Sequence, residues 1–413
     1  MKKIYKANTT EREDTSRDQF VQFIHADIKS WARQIKALGV TRLIDDRSVG
    51  EQDTALIGRA CEAHLWTSLE GGARCGKEGN MKMGRKKLTV ALQRNIIIGT
   101  ILLASLAESL TSGVALHAQS PKGTWTMEAP LPSARGEVAA VALDGKLHAI
   151  GGSVNGKAGP FHDEYDPATN AWRRRAPLPE ARDHLALAVA GGKIFAFGGF
   201  TASVHKGAGT DAFEYDPVTD RWRTLPPMKV ARGSAGAATV DGKIHVIGGR
   251  GLDAVVVGAH EVFDPKTNTW SEASPLPTAR DHMAVVAFDG KIHVIGGRFK
   301  GPVQRTGLHD VYDPKTNAWS SAAPLPTPRS GVAGASYHGL ILVLGGELPP
   351  DHTFPENEGY DPKTGAWTGL APMPHGRHGF GGAAIGDNGY FAGGNLEPGG
   401  GDTTDQLIMF HLP

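Results

Sequence analysis

Cysteine is nearly missing from this chain of 413 residues. The two that it has, Cys61 and Cys75, both lie in the first 80 residues, at no spacing typical of a metal or redox motif. Residues 119–413 therefore cannot be held together by disulfide bonds, and thiolate chemistry is excluded there.

An excess of either charge is also missing, because 44 Lys and Arg face 43 Asp and Glu. Residues 121–413 are mildly acidic, with 26 basic and 30 acidic residues and no basic stripe. Nucleic acid is therefore not expected as a partner. Glycine, in contrast, is abundant: its 54 residues are about twice the usual ~7%. Such a composition favours a turn-rich fold over a helical bundle.

Long hydrophobic runs are scarce as well, and the clearest one is only 12 residues, 96–107. As a helix it would span about 18 Å, which is short of the ~30 Å bilayer core. It follows the basic residues Lys82, Arg85, Lys86, Lys87 and Arg94 and precedes small residues at Gly113, Ala115 and Ala118. This order is typical of a cleaved secretory signal over residues 81–118. We therefore predict a periplasmic or secreted protein with no stable membrane span after signal cleavage.

A signal at this position predicts that translation starts at Met81 or Met83, with residues 1–80 as an over-extension. Translation from Met1 would instead make the apolar run a poor internal anchor. Residues 1–80 contain one amphipathic helical pattern between Phe20 and Leu38. Residues 17–39 resemble the C-terminal helix of tripartite tricarboxylate-type periplasmic receptors, although a generic amphipathic helix would look the same.

Residues 119–413 consist of six repeats. The first glycine of a Gly-Gly pair recurs at Gly151, Gly198, Gly248, Gly296, Gly345 and Gly393. A tryptophan recurs in step at Trp125, Trp172, Trp222, Trp270, Trp319 and Trp367. An arginine does the same at Arg135, Arg182, Arg232, Arg280, Arg329 and Arg377. A period of 47–50 residues in three independent markers indicates a repeat fold.

Each period predicts four short strands. In the third, RGSAGAATVDG and KIHVIGG form two strands around an Asp-Gly turn, and AHEVFDP and TWSEASPLP form two more around KTN. Four antiparallel strands per repeat make one propeller blade. The repeats resemble the Kelch family, which implies an all-β, six-bladed propeller over residues 119–413.

The ends of the array predict how the ring closes. The Asp-Pro turn before the fourth strand occurs only five times, and the sixth period stops after its third strand. Residues 124–132 form a fourth strand with no blade before it. The N-terminal strand is therefore expected to complete the C-terminal blade and to protect its open edge.

The Kelch resemblance also implies a binding face, because the arginines and the loops between strands two and three line the ligand pocket of vertebrate Kelch adaptors. By this resemblance the arginine series would ring the channel mouth. The alternative is a structural role, in which each arginine hydrogen-bonds to a neighbouring blade. The residues after the arginines differ between blades and suit an anionic or polyhydroxylated ligand: Glu137, Asp183, His184, Asp281, His282 and His378.

The loops after the second strands add further candidates, although exposed polar loops would look the same: His205, Arg250, Arg298, Glu347, His352 and Asn395. His148, His245 and His293 share one register position and are interpreted as packing residues. Spacing along the chain indicates no metal site and no cofactor.

Three functions remain in view. The first is an exported module that binds a protein or glycan through its loop face. The second is a carbohydrate isomerase, because bacterial exported Kelch propellers include the N-acetylneuraminate epimerase type; one acid or base beside an arginine would suffice for it. The third is a copper radical enzyme of the galactose oxidase type. It is excluded because that chemistry uses a Tyr–Cys cross-link on seven blades, whereas this propeller has six repeats and no cysteine.

Overall fold

The computed structural model describes residues 122–202, 205–300 and 304–413. The amphipathic helix and the secretion signal predicted within residues 1–118 lie outside this range. No helix among the described residues is long and apolar enough to cross a membrane.

Six four-stranded antiparallel sheets confirm the predicted propeller. The strands of the first three blades are Ala139–Leu143, Lys146–Ile150, His162–Asp166 and Ala171–Arg174; Ala186–Ala190, Lys193–Phe197, Ala212–Asp216 and Arg221–Thr224; and Gly236–Val240, Lys243–Ile247, His260–Asp264 and Thr269–Glu272. The fourth and fifth blades comprise Ala284–Phe288, Lys291–Ile295, His309–Asp313 and Ala318–Ser321; and Ala333–Tyr337, Leu340–Leu344, Asn357–Asp361 and Ala366–Gly369. The sixth blade comprises Gly381–Ile385, Asn388–Ala392, Leu407–His411 and the N-terminal Thr124–Glu128.

The ring closes as predicted, through the pairing of Thr124–Glu128 with Leu407–His411. Trp125 lies opposite Phe410 in this ladder, and their ring centroids are 4.9 Å apart. The closing strand therefore supplies both backbone hydrogen bonds and apolar packing to the last blade.

Short elements decorate the loops between the second and third strands. Three are two-stranded hairpins, formed by Ser153–Val154 with Lys157–Ala158, by Arg298–Lys300 with Gln304–Arg305, and by Glu347–Leu348 with His352–Thr353. Two are 3-10 turns at Leu252–Ala254 and Pro398–Gly400.

The Gly-Gly pairs connect each blade to the next. The N–H of the second glycine donates to the carbonyl of the next blade's repeat arginine, from Gly152 to Arg182 at 3.0 Å and finally from Gly394 to Arg135 at 3.0 Å. Both glycines have positive φ, 66° at Gly151 and 102° at Gly152, for example. A Cβ at Gly151 would lie 2.6 Å from the Arg182 carbonyl oxygen. Glycine is therefore required both by the backbone conformation and by the close approach.

The repeating tryptophans make the same connection at the outer strands. Each indole N–H donates to a backbone carbonyl of the neighbouring blade, as from Trp172 to Ala129 at 2.8 Å and from Trp319 to Ser274 at 2.9 Å. Because a buried indole needs a partner for its N–H, these bonds fix the spacing between blades.

The histidines of the second strand belong to the blade core. His148, His245 and His293 each contact a third-strand histidine, and the nitrogen of His245 lies 2.9 Å from that of His260. Burial lowers the pKa of both His245 and His260 to about 4. These imidazoles are therefore neutral packing groups, away from the channel mouth.

Candidate functional site

The repeat arginines are buried inside the blades. Arg135, Arg232, Arg280, Arg329 and Arg377 are 0% exposed, and Arg182 is 3% exposed. Arg280 is representative, because it donates to the carbonyls of Gly296 at 2.9 Å and Val294 at 3.0 Å and pairs with Asp310 at 2.7 Å. The structure therefore corrects the expectation that this series rings the channel mouth and supports the structural alternative. The physical reason is that backbone carbonyls and, in four of the blades, a third-strand acid of the same blade bind the guanidinium group.

The residues two positions after these arginines form the neck of the channel. The six are Glu137, His184, Ser234, His282, Gly331 and Gly379, and all have φ between 53° and 73°. Their backbones are linked from blade to blade, beginning with His184 N–H donating to Glu137 at 3.1 Å. The last link runs from the Val138 N–H to Gly379 at 3.2 Å. This ring fixes the direction of the side chains of Glu137, His184 and His282.

A second ring of residues is formed by backbone pairing within each blade. The residue after each Gly-Gly pair forms an antiparallel bridge with the residue after each repeat arginine. Asp281 pairs in this way with Arg298, Ser330 with Glu347, and His378 with Asn395. The residues after the arginines and the loops after the second strands, which occupy different parts of each repeat, therefore lie side by side.

Both rings border a cavity of about 250 Å³ at the channel mouth, which we call the mouth cavity. Its polar lining consists of Glu137, Ser153, His205, Arg250, His282, Arg298, Glu347 and His378. Of the residues predicted from sequence, the structure thus brings together Glu137, His205, Arg250, His282, Arg298, Glu347 and His378. His184 adjoins them, whereas His352 is exposed on the hairpin of the fifth blade.

Asp281 organises one side of the mouth cavity. Its carboxylate accepts from Arg250 Nε at 2.6 Å and Arg298 Nε at 3.1 Å, and it contacts His282 Nδ1 at 2.7 Å. Burial opposes ionisation, but His282 and the two guanidinium groups hold the pKa of Asp281 well below its usual range. Burial, together with the charge of Arg298, lowers the pKa of His282 to about 4 despite the neighbouring carboxylate. Asp281 is therefore an anion that orients three side chains.

Glu137 organises the opposite side. Its carboxylate lies 3.0 Å from His184 Nε2 and 3.5 Å from His378 Nε2. A Cβ at Gly379 would lie 2.5 Å from this carboxylate, so glycine makes room for it. Burial would raise the pKa of Glu137, but His184 and His378 hold it well below its usual value. Although burial alone would lower it, the carboxylates of Glu137 and Asp183 raise the pKa of His184 to about 10.

Sequence indicates Ser234 and His205 only weakly, although His205 is among the predicted loop candidates. Ser234 occupies the neck position of the third blade, and only its place two residues after Arg232 indicates it. His205 comes from the variable loop of the second blade, yet its Nε2 lies 3.2 Å from that of His282. Burial and the neighbouring His282 lower the pKa of His205 to about 2.

Sequence comparisons agree with this architecture. A family described as the KLHDC2/KLHL20/DRC7 Kelch-repeats domain matches residues 228–394, and the Kelch motif matches residues 181–229. These matches confirm the predicted Kelch-repeat propeller over residues 181–394. No curated protein matches its sequence.

A solved structure is also similar to this chain. The "Structure of YjhT" is 19% identical, covers 69% of this chain and 99% of that chain, and superposes with a TM-score of 0.59. At this identity the likeness shows the fold alone. It therefore does not favour the carbohydrate isomerase alternative over a Kelch binding module.

Proposed function

We propose that this Kelch-repeat protein is an exported binding module that takes a small anionic, polyhydroxylated ligand, such as an acidic sugar, into the mouth cavity. The proposal is carried by Arg250. Among the described residues, Arg250 is bound through Nε alone, to Asp281. Both terminal nitrogens of its guanidinium group are then available to a ligand in the cavity that Arg250 lines. A guanidinium fork of this kind matches a carboxylate in geometry and charge.

The remaining lining suits hydroxyl groups. Glu347 is held by Arg298 at 2.7 Å and by the Gly399 N–H at 2.9 Å, so its carboxylate is fixed in place. His378 lies 3.3 Å from Glu347 and completes a set of acceptors and donors around the opening. Carboxylates accept from sugar hydroxyls, and imidazoles can donate or accept.

The size of the cavity favours a glycan or a sugar acid over a protein as the occupant. A volume of about 250 Å³ fits a compound of monosaccharide size. A stable protein interface would need roughly 800 Å² from each partner, far more than this cavity provides. A protein partner would have to use the outer loops instead.

The matched pair of glucuronic acid and glucose tests the ligand class, because the two sugars differ by one carboxylate. We expect glucuronic acid to bind the purified protein at least tenfold more tightly in calorimetric titrations. A charge-assisted hydrogen bond is worth roughly 1.5–3 kcal/mol, so Arg250→Ala should weaken glucuronic acid binding about tenfold or more. Glucose binding should not change.

Arg221→Ala is the control, since Arg221 is exposed on an outer strand of the second blade. If Arg250→Ala prefers glucuronic acid over glucose as strongly as the parent protein does, Arg250 does not bind the anion. If neither sugar binds and a glycan array is also negative, the ligand is not a carbohydrate.

Export is the second part of the proposal and is supported by the sequence pattern of residues 81–118. We expect the protein made from its native gene to mature with an N-terminus between Leu110 and Pro121. Intact-mass measurement of the protein recovered from the periplasm or medium checks this. Recovery of an unprocessed chain from the cytoplasm alone would contradict it.

A further inference from the structure

Three imidazoles from different loops meet beside the mouth cavity. The ring centroids of His184, His205 and His282 are 4.9, 5.0 and 5.1 Å apart, which is close to an equilateral triangle. One ring nitrogen from each histidine can be chosen so that all three lie within 4.8 Å of one another. The Nε2 atoms of His205 and His282 are 3.2 Å apart. Two nitrogens on one tetrahedral Zn²⁺ ion lie about 3.3 Å apart, so this pair already has the required spacing.

Carboxylates support two of the three rings from behind. Nδ1 of His184 lies 2.8 Å from Asp183, and Nδ1 of His282 lies 2.7 Å from Asp281. An imidazole that donates Nδ1–H to a carboxylate keeps Nε2 as the nitrogen that can bind a metal. Metal-binding histidines are usually held by such carboxylate partners.

Among the described residues, His184 Nε2 has no aligned hydrogen-bond partner, although His184 is only 8% exposed. The atom lies 3.0 Å from Glu137, but the contact is not aligned as a hydrogen bond. A buried polar nitrogen in this state requires an explanation. A divalent ion in the centre of the triangle would provide one, because it would displace the Nε2 proton of His184 and bind the lone pair that this proton leaves.

The surrounding charge favours a cation. Glu137, Asp183, Asp281 and Glu347 adjoin the cluster, and the guanidinium groups that pair with them there are those of Arg250 and Arg298. With neutral imidazoles this set carries an excess of two negative charges. A divalent ion would balance it.

Existing contacts compete with a metal, because Arg298 Nη2 lies 3.5 Å from His205 Nε2 and Ser234 Oγ lies 3.4 Å from His282 Nε2. Arg298 Nη2 lies 3.1 Å from His282 Nε2, and binding would displace this hydrogen bond. The other nitrogens of Arg298 remain on Asp281 and Glu347. The guanidinium group can therefore stay in place while the imidazole turns to a metal.

We propose that His184, His205 and His282 bind one divalent transition-metal ion through their Nε2 atoms, with Zn²⁺ as the best match. Three imidazole ligands with a fourth position open to a cavity is an arrangement that zinc commonly adopts in proteins. The proposal does not depend on the sugar ligand.

Zinc titration of the chelator-treated full chain tests this proposal. The chain carries Cys61→Ser and Cys75→Ser, because thiolates elsewhere in the protein could also bind zinc. We expect one Zn²⁺ per chain, and an absorption spectrum of four-coordinate Co²⁺ when Co²⁺ replaces it. His184→Ala, His205→Ala and His282→Ala should each weaken Zn²⁺ binding by more than about 100-fold. Asp183→Ala should weaken it about 10–100-fold, as for other supporting carboxylates.

His352→Ala is the matched control, since His352 is exposed on a neighbouring hairpin, and it should leave zinc affinity unchanged. His205→Ala is the decisive variant, because His205 lies on a loop and is only half-buried, so the propeller should stay folded. Wild-type zinc affinity in folded His205→Ala would overturn the proposal. So would a full chain that binds no Zn²⁺.

Discussion

Deletion of residues 404–413 is expected to abolish soluble, folded protein. The deletion removes Leu407–His411, the third strand of the last blade, and separates Thr124–Glu128 from the ring. Leu407, Ile408 and Phe410 are all 0% exposed, and burial of three such side chains contributes about 5–9 kcal/mol. This is comparable to the total stability of a typical domain, about 5–15 kcal/mol. Deletion of residues 121–133 should have a similar effect, because it removes the partner strand.

Soluble yield and thermal melting by circular dichroism measure the outcome. A matched pair of substitutions tests the effect of burial without removing any part of the chain. Phe410→Ala should lower the free energy of unfolding by about 3–5 kcal/mol. Met127→Ala, on the paired strand, should change stability by less than ~0.5 kcal/mol, since Met127 is 51% exposed. Either truncated protein melting within a few degrees of the parent would contradict closure of the ring through this strand pair.

The architecture of the ring could be predicted from sequence because its causes are local and repeated. Each blade needs the same glycines and the same tryptophan, so the period is visible in one chain. Closure could also be predicted, because a strand without a blade at Trp125 matches a blade without a fourth strand.

Sequence could not predict in the same way whether the side chains of the repeat arginines point into the blades or toward a ligand. A fixed position in the repeat is equally consistent with a ligand contact and with a core contact. The signal that separates the two is a second recurrence, the acids at Asp163, Glu261, Asp310 and Glu358, which pair with arginines about 30 residues before them. Those acids lie in the third strands, a part of the repeat in which no site was expected.

The mouth cavity was predictable in part. Glu137, His282 and His378 were indicated because they break the repeat pattern beside a fixed arginine. The meeting of His205 with His184 and His282 was not, since a variable loop has no register that relates it to other blades. Only the folded propeller brings the ring centroids of these three imidazoles within 5.1 Å of one another.

Arg280→Met is expected to lower the free energy of unfolding by about 3–5 kcal/mol, because it leaves Asp310 as a buried charge without a partner. Methionine retains much of the volume of arginine, so the loss reports on charge and hydrogen bonds more than on a cavity. The carbonyls of Gly296 and Val294 also lose their donor. Denaturant unfolding measures the change.

Arg377→Met is the comparison that isolates the charge. Arg377 is equally buried, but its terminal nitrogen donates at 2.6 Å to Gln406, a neutral side chain. Burial without a carboxylate partner already lowers the pKa of Arg377 to about 10. Its replacement strands no anion, so Arg377→Met should cost clearly less than Arg280→Met. Arg280→Met with parental stability but without glucuronic acid binding would instead assign the arginine series to ligand contact.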